Sequence, residues 1–413
     1  MIVFLFILLF LCILGVLHTY VIYPWWVVSG ARPLSSAKAL RGAYTQVQGE
    51  GNGEVSEGSY PPVFVLMAAH NEEAVLDQKL QSLAAQDYPG PLRIYIGSDC
   101  STDKTNDILT RWAEKDARFH PTLFTERQGK PGIINQLAVK CQPPPGAIFV
   151  ITDASVILRP DTLTELIRPM QQNERIGVVD ATMIQTGGTA DGIGQAEENY
   201  IHREVAIKRA EGRRWGAMIG PFGGCWAIRA KAYTPVPGNF LVDDFFLCMA
   251  AYEQGYLGIS SPDAVVEEAV GQSLQDEFRR KVRISSGNWQ NLVRFRKLWW
   301  PFWKNPLAFA FFSHKVLRWW TPFLLLIGGF AWATLIVSSG YESNYWFGVL
   351  FATLVNVPIF LLLIDILLSI LGVNFRPARY TRYFLAMNAA LLVGFWRYLT
   401  GIKSNVWQPS QRH

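Results

Sequence analysis

Residues 63–73 read VFVLMAAHNEE. An unbroken apolar run that stops at a polar cluster describes a strand buried on both faces and ending at a sheet edge. The pattern recurs at 92–103, LRIYIGSDCSTD, and at 147–155, AIFVITDAS. Helical periodicity occupies 74–86, 102–115 and 161–170, and a further strand is expected at 176–184. Strands alternating with helices predict a parallel sheet covered on both faces. Ligands of such sheets lie beyond the carboxyl ends of the strands, where all three polar clusters fall. Asn, Asp and Ser also cap helices, and Ser101 and Thr102 are expected to cap the helix at 102–115. Three acidic clusters on one edge are more than capping requires.

The chain of 413 residues is half hydrophobic and 17% charged, short of the roughly 25% charge of soluble proteins. Disorder and a fully soluble enzyme are disfavoured. A pure membrane bundle is disfavoured too, because 38 basic and 33 acidic residues need water. The net charge of +5 comes with no basic stripe interleaved with aromatics, so nucleic acid is not an expected partner. Cys12, Cys100, Cys141, Cys225 and Cys248 form no CxxC pair, which fits a reducing compartment.

Residues 1–29 contain no Asp, Glu, Lys or Arg and are long enough to span a bilayer. They lack a basic leader and a small-residue cleavage site, so an uncleaved anchor is expected. Tyr20, Tyr23, Trp25 and Trp26 form an aromatic belt, and Arg32, Lys38 and Arg41 place that end in the cytoplasm. A flexible linker (30–60) leads to a cytosolic domain (61–295) and an interfacial region (296–320). Membrane helices follow at 321–338 and 345–371, joined by a short loop carrying Glu342. Residues 384–400 read as an interfacial or transmembrane helix, with the interfacial reading preferred, and 401–413 as a cytosolic tail. The expected location is a bacterial inner or plasma membrane.

No GxGxxG or Walker motif is present. Asn71, Glu72 and Asp99 are suited to accept hydrogen bonds from a base and ribose. Asp153 suits a divalent cation, Mg2+ or Mn2+, bridging a diphosphate. Lys130, in GKPGIINQ, is a point charge for phosphate or a solvated loop lysine. Asp243 and Asp244 open VDDFFLCMAAYEQGY, where acids favour the helix dipole and a carboxylate can also serve as general base. Gly223 and Gly224, in GPFGGCWAIR, permit a close backbone approach or a tight turn. His70 stands alone and reads as a loop or packing residue, and Cys225 as a small buried thiol. LQDEFRRKVRISSGNWQ (274–290) is a basic amphipathic helix, either a membrane-side anchor or a carrier of Arg279, Arg280 and Arg283 towards a diphosphate.

In order, AAHNEE, GSDCSTD, GKPGIINQ, TDAS, GPFGGCWAIR, VDDFFL, FRRKVRISSG and NVWQPSQR resemble the membrane-bound glycosyltransferases of family 2, the group of cellulose, hyaluronan and poly-N-acetylglucosamine synthases. The resemblance implies a GT-A α/β domain with a mostly parallel sheet, flanked by N-terminal and C-terminal transmembrane helices. It implies a UDP-sugar donor, Mg2+ or Mn2+, inversion at the sugar carbon, and a lipid-linked or growing polysaccharide acceptor in cell-envelope or exopolysaccharide assembly. It assigns Asn71, Glu72 and Asp99 to the nucleoside, Lys130, Arg280 and Arg283 to the diphosphate, and Asp153 to the metal. Asp244 becomes the base with Asp243 beside it, and Gly223 and Gly224 adjoin the acceptor. Two departures stand out: Ser155 replaces the second metal-site aspartate, and Ile284 replaces the tryptophan of the membrane-proximal motif, with Trp289 further on as the nearest substitute at the acceptor. The first rests metal binding more on Asp153 and the diphosphate, and the second weighs against long-chain polymerisation; processive synthesis with export, or a scaffold with a degenerate domain, are the alternatives.

Overall fold

The computed structural model describes residues 1–30, 60–186, 193–269, 274–338 and 376–402. Nearly all of the expected linker, the span at 345–371, the loop with Glu342 and most of the tail lie outside the described residues.

Eight strands form one sheet in the order β3-β2-β1-β4-β7-β6-β8-β5. They are β1 (Val63–Ala69), β2 (Leu92–Asp99), β3 (Phe119–Phe124), β4 (Ile148–Asp153), β5 (Val156–Leu158), β6 (Ile176–Thr186), β7 (Cys225–Arg229) and β8 (Leu257–Ala269). The stretch β3-β2-β1-β4 is parallel, as the alternation of strands and helices predicts. The second half departs from that expectation. β7 runs antiparallel to both β4 and β6; it follows the helix at Ile193–Trp215 and enters the sheet from the loop at 216–224. β3 (FHPTLF) escaped the periodicity because it is a half-exposed edge strand, the place where a sheet tolerates Pro121.

The helices of the domain are α3 (Leu76–Ala84), α4 (Thr105–Lys115), α5 (Gly129–Lys140), α6 (Thr162–Gln172), α7 (Ile193–Trp215), α8 (Asp243–Glu253) and α9 (Leu274–Arg294). Side chains alternate across β1. Val63, Val65 and Met67 meet Leu76, Leu80 and Leu83 of α3 and Leu163, Leu166 and Ile167 of α6. Phe64 and Leu66 face the other way, towards Ile133, Ile134 and Leu137 of α5. That second core also holds Trp226, the apolar body of α8, and Tyr23, Val27, Phe311 and Trp319 from outside the domain. A helix buried all round, as α8 is, needs cover on every side; the membrane-side helices supply it.

Those helices are α1 (Ile2–Leu17) and α2 (Tyr23–Ser29), joined by a π-helical turn at His18–Ile22, and the later run α11 (Pro306–Phe311), a second π-helical turn at Phe312–Val316, and α12 (Leu317–Ser338). The short α10 (Arg296–Trp299) precedes them. Ile2–Ser29 and Pro306–Ile336 are long and apolar enough to cross a membrane. They pack antiparallel: Leu5 and Leu9 meet Ala331 and Leu335, Cys12 faces Gly328, and Gly15 faces Leu324. The two π turns meet through His18 Nε2 and Ser313 Oγ at 2.9 Å. The second apolar helical run therefore starts at Pro306, earlier than the expected 321. Residues 384–400 fall almost wholly within α13 (Arg376–Leu399), which lies along α9: Ser285 and Ser286 donate to the carbonyls of Leu391 and Gly394.

Trp226 is wholly buried in that second core. Trp226→Ala is expected to cost about 3–5 kcal/mol, read as a lowered denaturant midpoint of the full chain. An unchanged midpoint would mean that Trp226 carries none of this core's stability.

Candidate active site

Register places the site. Ala68 of β1 pairs with Asp153 of β4, and Ala69 pairs with Ser98 of β2, so the three polar strand ends are neighbours.

At the end of β1 the chain turns with Asn71 at φ 54°, a conformation Asn tolerates better than most residues. Asn71 Oδ1 accepts the Thr102 amide at 2.8 Å, the Asn71 amide donates to Ser101 Oγ, and the Glu72 amide donates to Thr105 Oγ1. Ser101 and Thr102 therefore tie β1 to β2 and do not cap α4. That helix starts at Thr105, whose amide is held by Asp103. Local spacing favours a cap; the partner from the next strand outcompetes it.

Asp99 is buried and fully engaged. It accepts the Gln128 amide at 2.6 Å, the Gly129 amide at 3.0 Å and Arg127 Nε at 3.1 Å. It thus fixes the start of α5, where Gly129 sits at φ 70°. His70 Nε2 accepts from Arg127 at 2.6 Å, so its Nδ1 carries the proton and donates to the Asp99 carbonyl at 2.8 Å. His70 is a packing residue of this clamp.

The clamp aims Lys130, the second residue of α5. Its Nζ lies 2.6 Å from Asp153 Oδ1 and 3.9 Å from Asp243 Oδ2. Burial works against its charge, but Asp153, Asp243 and the more distant Asp244 outweigh that effect and hold the ammonium above the usual lysine range. Asp243 and Asp244 form the first turn of α8. Burial, then the neighbouring Asp243, pushes the Asp244 carboxyl up to about 6, opposed by Lys130. Asp244 Oδ2 lies against Gly223 where a Cβ would stand, and Gly223 has φ +95°, so the backbone here reaches the carboxylate only because the residue is glycine. The Gly224 carbonyl accepts the Asp153 amide at 2.9 Å, which joins the glycine loop to the end of β4. Arg283 on α9 is half-buried; desolvation and then Arg280 lower its pKa, while Asp243, Asp153 and Asp244 draw it back.

The structure thus brings Lys130, Asp153, Asp243, Asp244, Gly223, Gly224 and Arg283 together. Asn71, Glu72 and Asp99 line the adjacent strand ends. Ser155 Oγ is turned to Glu268 at 3.3 Å. Trp289 does not join the cluster: it is buried, with its ring 4.6 Å from Phe395 of α13 and 5.7 Å from Trp320 of α12. On α9 that face is the one covered by the membrane-side helices, so burial decides its place. Cys225 is buried at the start of β7, and burial pushes its thiol up to about 11.

Sequence reading missed Lys79. It is fully buried in α3 and donates to Thr152 Oγ1 at 2.8 Å and to the Val156 carbonyl; Thr152 Oγ1 in turn donates to Gly224 O at 2.9 Å. The available signal was a lysine on the apolar face Leu76–Leu80–Leu83.

Residues 64–234 match the family model of glycosyl transferase family 2. The β-monoglucosyldiacylglycerol synthase of Synechocystis is 30% identical over 160 residues, 37% of this chain and 32% of the relative. An N-acetylglucosaminyltransferase of Rhizobium leguminosarum is 23% identical over 261 residues, 59% of this chain and 60% of the relative. The alignments thus span about a third and rather over half of these relatives' lengths. Among solved structures, the mannosyltransferase PcManGT of Pyrobaculum calidifontis, in complex with GDP-Man and Mn2+, superposes with TM-score 0.64 at 20% identity, covering 95% of this chain and 99% of that one. The fold is a GT-A-like α/β domain. The chain carries a glycosyltransferase family 2 domain.

Burial pushes the Lys79 ammonium down to about 8 from 10.5. Below pH 8 folded and unfolded chains both carry the proton and the burial penalty stands in full. Between pH 8 and 10.5 only the unfolded chain is protonated, so folding gains stability as pH rises. Against Lys79→Met, the wild type is expected to gain up to about 3 kcal/mol across that window, read by denaturation at pH 8 and 10.5. A constant difference would remove the buried ammonium from this account.

Proposed function

We propose that this chain is an inverting glycosyltransferase that moves one sugar from a nucleotide-diphosphate sugar to a lipid-linked acceptor at the cytosolic face of the membrane. The observation that carries the reading is Lys130 held between Asp153 and Asp243 with Asp244 beside them on one sheet edge. A cation so placed, with Arg283 behind it, would stabilise the charge that grows on a leaving diphosphate. Asp244, with its carboxyl near 6 and lying against the glycine loop, is ionised at neutral pH and suited to take the proton of an acceptor hydroxyl. Attack from the side of Asp244, opposite the diphosphate, inverts the sugar carbon.

A divalent ion is part of the proposal. Among the described residues no three potential ligands cluster, and the Ser155 hydroxyl is turned to Glu268. Asp153, with its side chain 39% exposed, is one carboxylate at the right edge. That suits Mg2+ or Mn2+, which one or two carboxylates hold together with substrate phosphates. The ion would offset diphosphate charge.

A nucleotide-sugar donor is supported by the GDP-Man complex of the structural neighbour; a UDP-sugar is what the motif resemblance implies. A glycerolipid acceptor is supported by the name of the Synechocystis relative, and by a site built against helices long and apolar enough to cross a membrane. Sealing of Trp289 among those helices leaves no tryptophan from α9 to hold a growing polymer, which favours single transfer over processive synthesis and export. The catalytic domain is then anchored to the cytosolic side of the plasma membrane.

Purified chain with Mn2+ should transfer sugar from one of UDP-glucose, UDP-N-acetylglucosamine or GDP-mannose to diacylglycerol or polyprenyl phosphate in vesicles, with product mass showing one added sugar. No turnover across the panel with nucleotide binding intact would favour a scaffold. Asp244→Asn is expected to lower transfer at least about 100-fold with UDP affinity retained. The wild-type rate should fall about tenfold per unit below pH 6, as the base takes up its proton; a flat acid limb down to pH 4 would remove Asp244 from that role.

A further inference from the structure

The acceptor-side loop, residues 219–224, takes a left-handed backbone at two glycines. Gly220 and Gly223 have φ of +77° and +95°. Phe245 and Asp244 press on the positions where their Cβ atoms would be. Two buried carboxylates restrain the loop. On the sheet, Asp180 of β6 is 2% exposed, and its Oδ2 accepts the Phe222 amide at 2.8 Å. On α7, Glu211 is wholly buried, and its Oε2 accepts the Ile219 amide at 3.1 Å.

Neither carboxylate stands alone. Glu211 Oε1 accepts the Tyr23 hydroxyl at 2.7 Å and lies 2.8 Å from His314 Nδ1. Tyr23 belongs to the first apolar helical run and His314 to the second. Burial pushes the Asp180 carboxyl up to about 7, against the pull of Lys208, a buried side chain whose Nζ lies 5.0 Å from the centre of the Phe222 ring. Glu204, one turn before Lys208, looks like its partner from helical spacing. It is bonded instead by His314, Lys315 and Arg318, which leaves Lys208 turned to the loop.

We propose that Glu211 and Asp180, the latter with Lys208, are positioning residues that suspend the acceptor-side loop against Asp244, and that through Tyr23 and His314 the membrane helices set where that loop lies. The inference rests on the functional reading above: the seam from Tyr23 and His314 through Glu211 reaches the acceptor side of the site, while the donor side is held by the Asp99 clamp and Lys130. Tyr23 reaches the loop through a single intervening side chain, Glu211. Lys79 and Thr152 anchor only the far end of the loop, at Gly224.

Hydrogen exchange of the full chain in detergent reads the loop without any turnover. Tyr23→Phe and Asp180→Ala should each raise exchange at Ile219, Gly220, Phe222, Gly223 and Gly224 roughly tenfold, the scale of one lost hydrogen bond. Asp180→Asn, whose amide oxygen still accepts from Phe222, should restore protection. Affinity for UDP with Mn2+ should stay within about twofold. Unchanged exchange in Tyr23→Phe, or exchange raised evenly across the sheet, would overturn the proposal. If Asp180→Ala does not fold, Tyr23→Phe and Asp180→Asn decide it alone. A donor panel without turnover would overturn the functional reading and leave this measurement standing.

Discussion

Asp153, Asp243 and Asp244 occupy one sheet edge, and three carboxylates there repel one another unless a cation stands between them. Lys130 is that cation. Much around it serves to keep it in place. Asp99 gathers the Gln128 and Gly129 amides and Arg127, so that α5 starts where its second residue reaches β4. Lys79 does similar work from beneath, fastening Thr152 and Val156 on either side of Asp153. The balance is incomplete by design of the packing: Asp243 Oδ2 has no hydrogen-bond partner among the described residues, and Asp244 stays near 6. A site poised in this way favours a further positive charge or a transferable proton, which is the chemistry that sugar transfer from a diphosphate needs.

The second theme is continuity between domain and membrane side. The core on one face of the sheet runs without a break from Phe64 through α8 to Phe311 and Trp319. A polar seam runs beside it, from Tyr23 and His314 through Glu211 to the glycine loop. Buried ions of this kind are costly unless each is paired, and here Glu204 alone meets His314, Lys315 and Arg318. Such a seam fixes one arrangement of the helices against the domain more sharply than apolar packing would.

Much of this was legible in the chain. β1, β2 and β4 are uninterrupted apolar runs, and their ends declared the site edge. The Asp243–Asp244 pair opening an apolar helix was equally plain. What escaped was set by distant partners. β3 carries a proline and is half exposed, so its period is weak. β7 runs antiparallel because of a loop whose course no local pattern encodes. Ser101 and Thr102 looked like caps and are bound to Asn71 instead. Asp180, Lys208, Glu204 and Glu211 carry no local mark of their burial, because burial depends on what packs against them.

The sequence by itself determined the strand ends, their acids, the lysine-bearing helix start and the two longest apolar runs among the described residues, since periodicity and composition act over a few neighbouring residues. Only the tertiary structure decided which acid meets Lys130, that Trp289 is sealed among the helices, and that the glycine loop hangs from carboxylates of β6 and α7. Those outcomes turn on pairings between residues far apart in the chain, where a low local dielectric makes each buried charge take whichever partner the packing brings within reach.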